Sequence, residues 1–321
     1  MSTYAMTIPL ASKPFHEQRE IYESLRSWGY EELWSSEVDG SDAFTPLVVA
    51  SQCVPELKLG TAIVSSFSRG PATLAMQAAS LAALAPGRFS LGIGSSSNVI
   101  VENWNAIEFA RPYQRTRDVV RFLRAALSGE RIVAEYESFT ITGFRLAVVP
   151  ERPPEILVAA LREGMLKLAG READGAILNW LSPADAAKIV PVVGPGKKIV
   201  ARVFVCPSSD ASLVRKLARR SIAAYLNVPV YAEFHRWLGR TKQLSGMWEA
   251  WAQGDRQAAL SEISDEVVDD LIVHGTPDQC RERINEYFQA GVDVAAIAIL
   301  PYGVDEIEAA RLVAPAMSAK R

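Results

Sequence analysis

What constrains this chain most is an alternation. Short apolar runs bounded by turn residues follow one another, with stretches of helical periodicity between them. Tyr4 to Pro9 reads as a strand. Phe15 to Trp28 reads as a helix, because Phe15, Ile21, Tyr22, Leu25 and Trp28 recur near helical spacing and Gly29 stops it. Glu32-Leu-Trp-Ser-Ser36 is a second strand, followed by the loop Glu37–Asp42 and a short helix, Ala43 to Ser51. A third strand is expected over Leu57–Ser65. A loop and a helix over Ala72–Ala85 follow, opened by Pro71 and favoured by its alanines and leucines. A fourth strand, Phe89 to Ile93, ends in a glycine turn. Strand starts near 31, 57 and 89 are one strand–helix–strand unit apart, and strict alternation of this kind implies a parallel sheet.

The rhythm then meets one interruption and one expansion. Arg115 to Leu127 is helical, but Tyr136 to Leu146 alternates like a β-hairpin. Glu155–Ala159, Ala176–Asn179 and Ile199–Cys206 are strands five to seven, with helices at Gly164–Ala169 and Pro183–Val192 between them. Residues 208–272, with Trp237, Trp248 and Trp251, read as wholly helical. A helix over Pro277–Ala290, an eighth strand over Val294–Leu300 and a closing helix over Val304–Ala314, stopped by Pro315, complete the chain. Eight strands each followed by a helix add up to an α/β (β/α)8 TIM barrel. The expectation is a single domain over 1–321 with a β-hairpin insertion at about 130–150 and a helical insertion at about 208–272.

Composition narrows the partners. The net charge is −3 and Lys and Arg form no blocks, which argues against nucleic acid. Cys53, Cys206 and Cys280 are far apart and His16, His235 and His274 are isolated, so no metal-site spacing arises, and unpaired thiols suit a reducing compartment. Met1 to Leu10 lacks the basic and apolar regions of an export signal, and no apolar run reaches the roughly 18 residues of a membrane span. A cytoplasmic protein acting on a small organic molecule, with no membrane, nucleic acid or metal, is expected.

In barrels of this kind ligands meet the loops after the strands. Here those loops hold Glu37, Asp39 and Asp42; Ser65, Ser66 and Arg69; Gly94, Ser95, Ser96, Ser97 and Asn98; Ala160 to Gly164; and Asn179 with Trp180. The set lacks a Ser-His-Asp triad, a carboxylate cage and a Schiff-base lysine at a strand end. It is better suited to holding an organic cofactor than to chemistry with its own side chains. A dinucleotide fingerprint is a poor fit, because Gly92-Ile-Gly94-Ser-Ser-Ser97 lacks the third glycine. Structural readings stand beside these: Glu37 as a surface acid, Arg69 as a solvated charge, Asn98 as a turn or cap, Trp180 as core packing.

At these residues the sequence resembles the luciferase-like monooxygenase superfamily, within it the coenzyme F420-dependent oxidoreductases related to methylenetetrahydromethanopterin reductase. The resemblance rests on Gly29-Tyr-Glu-Glu-Leu-Trp34 with Asp42-Ala-Phe44, on Leu59-Gly-Thr-Ala-Ile-Val64 with Ser68-Arg-Gly-Pro71, and on Pro86-Gly-Arg-Phe-Ser-Leu-Gly-Ile-Gly-Ser95. Trp104, Phe109-Ala-Arg-Pro112 and Arg115 follow; Leu168 to Trp180, with its Ala-Asp-Gly, then His274-Gly-Thr-Pro277 and Gly291-Val-Asp293 extend it to about 305.

The resemblance implies a luciferase-like barrel, a homodimer, and coenzyme F420 lying across the strand ends, with FMN as the alternative cofactor. By position it assigns Glu37 to the acid bordering the cofactor, which is also the sole catalytic candidate. Ser65 and Ser66 match a bulge where a non-proline cis peptide underlies the ring. Arg69 and Asn179 join the cofactor set. Gly94, Ser95 and Asn98 match a cofactor loop, and Ala160, Leu161, Glu163 and Gly164 the phosphate loop. The family's sugar-phosphate dehydrogenases place histidine after the strand-two acid and glutamate after the second strand-four glycine. Here Val38 and Ser95 stand there, and Ser182 lies near the place of an expected lysine. Sugar-phosphate oxidation is therefore not expected; hydride exchange with another small organic substrate is. An FMN-dependent monooxygenase and a cofactor-binding barrel without turnover are the competing readings.

Overall fold

Alternate residues of a strand face opposite sides of its sheet, and here that period separates a barrel interior from a helix-covered exterior. The computed structural model describes residues 2–315. Met1 and residues 316–321, part of the expected domain and N-terminal segment, lie outside the described residues. The strands are β1 Thr3–Ile8, β2 Glu32–Ser35, β3 Lys58–Thr61, β4 Val64–Ser65, β5 Phe89–Gly94, β6 Ile132–Glu135, β7 Thr140–Phe144, β8 Glu155–Ala159, β9 Gly175–Leu178, β10 Lys198–Cys206, β11 Ile272–His274 and β12 Val294–Ile299. Parallel pairing runs β1–β2–β3–β5–β8–β9–β10–β12 and returns from β12 to β1, closing the ring of eight. This is the TIM-like barrel that the alternation predicts; β6 and β7 form a separate antiparallel hairpin.

Parity sorts the core. Ala5, Trp34, Leu157, Ile177, Val200, Val294 and Ala296 point inward and pack together. Their neighbours Met6, Leu33, Ile156, Ala176, Ala201 and Ala295 point outward into the helical shell. The Trp34 indole fills so much of the interior that a side chain at Gly60 would collide with it, and one at Gly92 would collide with the Thr61 carbonyl. At the amino-terminal floor, buried Glu32 accepts from Trp34 Nε1 at 2.9 Å and faces Lys198 at 3.6 Å.

Three features depart from the sequence reading. The third strand, expected over Leu57–Ser65, is broken: β3 stops at Thr61 and β4 resumes at Val64 against Ile93 and Gly94. Across the break the Thr61 hydroxyl replaces the ladder, donating to Gly92 O at 2.9 Å and accepting from Gly92 N at 2.8 Å. The non-proline cis peptide expected at Ser65–Ser66 lies at Ala62–Ile63. Secondly, Val99–Trp104 forms a π-helical turn where no element was expected. Thirdly, the stretch read as helical to 272 forms five helices between Ala211 and Leu271 and ends in β11, which pairs with Phe204–Cys206 beyond the end of β9. Arg240 ties these helices to the barrel through Asp185 at 2.7 Å, while holding Asp270 at 3.1 Å. Among the described residues no helix is long and apolar enough to cross a membrane.

Candidate functional site

The carboxyl ends of the strands hold a flat apolar bed. Half-buried Ala62, Ile63 and Ala159 pack on the inward cluster. A Cβ on Gly94 would sit 2.9 Å from Ala159 Cβ and 3.1 Å from Ile63 Cδ1, so glycine there keeps the bed level. Ser95, Ser96, Ser97 and Asn98 follow, all half-buried. Ser96 takes a left-handed φ of 64°, Ser97 Oγ accepts from Ile100 N at 3.4 Å, and Asn98 precedes the π-turn without capping it through its side chain.

The other expected residues divide by what they touch. Glu37 and Arg69 form a two-pronged ion pair with each other, Arg69 Nη2 donating to Glu37 Oε1 at 2.6 Å. Arg69 also lies 5.5 Å from the centre of the Phe44 ring. Each therefore answers the other's charge. Ser65 and Ser66 turn toward the scaffold: Ser65 Oγ accepts from Phe67 N at 3.1 Å, and buried Ser66 Oγ lies 3.4 Å from Thr116 Oγ1. The hydroxyls expected under a cofactor thus hold the loop's own shape.

The loop expected to take a phosphate follows β8. Ala160 N is committed to Ile177 O at 3.0 Å, which removes it as a donor, and Leu161 is half-buried. The helix Glu163–Glu172 then begins at Arg162 with no side-chain cap. A helix start leaves its first N–H groups without partners, and a Cβ on Gly164 would meet nothing within 4 Å. Uncapped donors, the positive helix end and open space suit an anion. The acid in that turn, Glu163, is drawn aside by Lys167 at 2.5 Å.

A second polar group was not found from sequence. Arg202 sits in the middle of β10, two residues after inward-facing Val200 and two before Phe204. Its guanidinium stands 5.1 Å from the Phe204 ring centre, and its Nε is buried without a partner. Burial pushes its pKa below the ordinary arginine value, and the groups opposing that are tyrosines, Tyr225 and Tyr231. Asn179 donates to Tyr231 Oη at 3.0 Å while its own Oδ1 is buried and unpartnered. Burial raises the Tyr231 hydroxyl to about 12. Trp180, in a left-handed conformation at φ 54°, packs tilted against Phe204 at 4.2 Å and Tyr225 at 5.0 Å between ring centres, so its packing reading holds. A charged residue at inward parity in Lys198-Ile-Val-Ala-Arg-Val-Phe-Val-Cys206 was the available signal.

Comparison with known proteins bears on the family and the fold. The luciferase-like monooxygenase family matches residues 2–294. A 5,10-methylenetetrahydromethanopterin reductase of Methanolobus tindarius is 26% identical over 89% of this chain and 90% of its own length. A Mycobacterium tuberculosis protein, whose name assigns it provisionally to the coenzyme F420-dependent oxidoreductases, is 25% identical over 89% of this chain and 91% of its own. The structure of the coenzyme F420-dependent tetrahydromethanopterin reductase of Methanopyrus kandleri superposes with a TM-score of 0.79 at 19% identity, covering 98% of this chain and 97% of that one.

Proposed function

The chain belongs to the luciferase-like monooxygenase family, and on that premise we propose that it is an oxidoreductase that carries coenzyme F420 and exchanges a hydride with a small organic substrate. The observation that carries this reading is the apolar bed of Ile63, Gly94 and Ala159 beside the uncapped helix start at Arg162. A planar heterocycle with a phosphate tail needs both, and the resemblance puts its tail on the same loop. The names of the relatives favour the deazaflavin over FMN.

In this reading Ile63, Gly94 and Ala159 carry the ring, and the free N–H groups at Glu163 and Gly164 receive the phosphate. The bound deazaflavin supplies the carbon that gives or takes the hydride. Trp180, Phe204 and Tyr225 pack as a wall on the β9–β10 side, which keeps water from that flank. Glu37, clamped by Arg69, steadies the β2 and β4 loops and moves no proton.

Titrating the purified protein with coenzyme F420 and with FMN tests the reading. Micromolar binding of the deazaflavin is expected, followed by its bleaching or recovery when the right substrate is added. Tight FMN binding with no deazaflavin response replaces the cofactor assignment. Deazaflavin binding without exchange across a broad acceptor panel favours a carrier.

A further inference from the structure

Arg202 is a half-buried cation with its Nε enclosed, and among the described residues no carboxylate pairs with it. Burying an unpaired cation is costly, because the low-polarity interior returns none of the lost hydration. The groups that bear on its charge are Tyr225 and Tyr231, with no carboxylate among them, while Phe204 lies against the guanidinium and Nε is left open. Tyr231, which bears on the charge of Arg202, also accepts from Asn179, whose Oδ1 is buried without a partner. Planar guanidinium edges match planar carboxylates in a two-pronged fit. One guanidinium balances one negative charge, which favours a carboxylate over a phosphate dianion.

We propose that Arg202, Asn179 and Tyr231 form a substrate subsite for a monoanionic organic carboxylate bearing a hydroxyl or N–H on the neighbouring atom, with Phe204 and Tyr225 enclosing its apolar part. The carboxylate meets Arg202 and the neighbouring donor meets Asn179 Oδ1. That this acid is the substrate of the hydride exchange rests on the reading above. That it binds does not.

The test uses the full chain without cofactor, titrated by calorimetry with mandelate, mandelamide and inorganic phosphate, with thermal midpoints read alongside. Mandelate alone is expected to bind and to raise the midpoint. Arg202→Met should weaken mandelate by about 10- to 100-fold, and Arg202→Lys by less. Arg202→Met should also keep or raise the ligand-free midpoint, because it removes a partly buried cation that has no counter-charge; a purely structural arginine would lower it. Mandelate failing to bind, mandelamide or phosphate binding equally well, or both variants failing to fold each overturns the subsite. If Arg202→Met weakens coenzyme F420 by the same factor while no carboxylate binds, the guanidinium serves the cofactor and the proposal falls. Mandelate binding to a protein that ignores coenzyme F420 would leave the subsite standing and remove the redox reading instead.

Discussion

His235 is wholly buried, and neither ring nitrogen has a partner. Burial first, and then the charge of Arg240, lowers its pKa from 6.5 to about 3. Between those values the unfolded chain holds a proton that the folded one refuses. This contribution to stability is therefore intact above about pH 6.5 and is lost on acidification, by about 1.4 kcal/mol per pH unit, until about pH 3. Urea unfolding across that range should show a steep acid limb, and His235→Leu should flatten it while leaving neutral pH little changed. An unaltered limb would mean that other groups drive acid unfolding. Glu37 and Arg69 pose the reverse case, two charges that satisfy each other in a half-buried loop. A double-mutant cycle of Glu37→Gln and Arg69→Gln should give a coupling energy of about 1 kcal/mol in stability. The same variants should change turnover far less than loss of an acid–base catalyst would.

At the scale of elements, the ring was legible because each strand announces itself by an apolar run and each helix by its spacing. The break in the third strand was not, because Leu59-Gly-Thr-Ala-Ile-Val64 is apolar apart from Thr61, a residue common in strands, and nothing marks that its hydroxyl takes over the ladder. The π-turn at Val99–Trp104 follows a polar run that reads only as loop. Arg202 was written plainly in β10, yet a charge in mid-strand speaks only once inward parity is known. The helix start at Arg162 allows a test in which two effects oppose each other. Gly164 has open space and lies in the first turn, where an acid stabilises a helix by roughly 0.3–1 kcal/mol. Gly164→Asp should therefore hold or raise the thermal midpoint while weakening coenzyme F420 at least about tenfold, through repulsion of its phosphate. Undiminished cofactor affinity would place the phosphate elsewhere.

Across the whole molecule, charge is spread widely except on one face. The adjacent helices Phe44–Cys53 and Pro71–Leu84 contain no Asp, Glu, Lys or Arg, and between them runs a groove whose apolar lining, Phe44, Val48, Met76, Leu81 and Leu84, is joined by uncharged Thr73, Gln77 and Ser80. Met76 is 49% exposed, Leu84 45% and Val48 39%, although large apolar side chains grouped on an uncharged face normally lie covered. The homodimer that the resemblance implies is expected to cover this face with a second copy of the chain. Twofold contact sets a patch against itself, and an uncharged patch meets its own image without burying an unpaired or like-charged group, which a charged one does not. Light scattering on the eluting full chain should give the mass of a dimer. Met76→Asp with Leu84→Asp should give a monomer that keeps its helical signal and its affinity for coenzyme F420, because neither side chain belongs to the bed or to the helix start at Arg162. A wild-type monomer, or a double variant that remains dimeric, would put the interface on another face and leave these helices as exposed apolar surface.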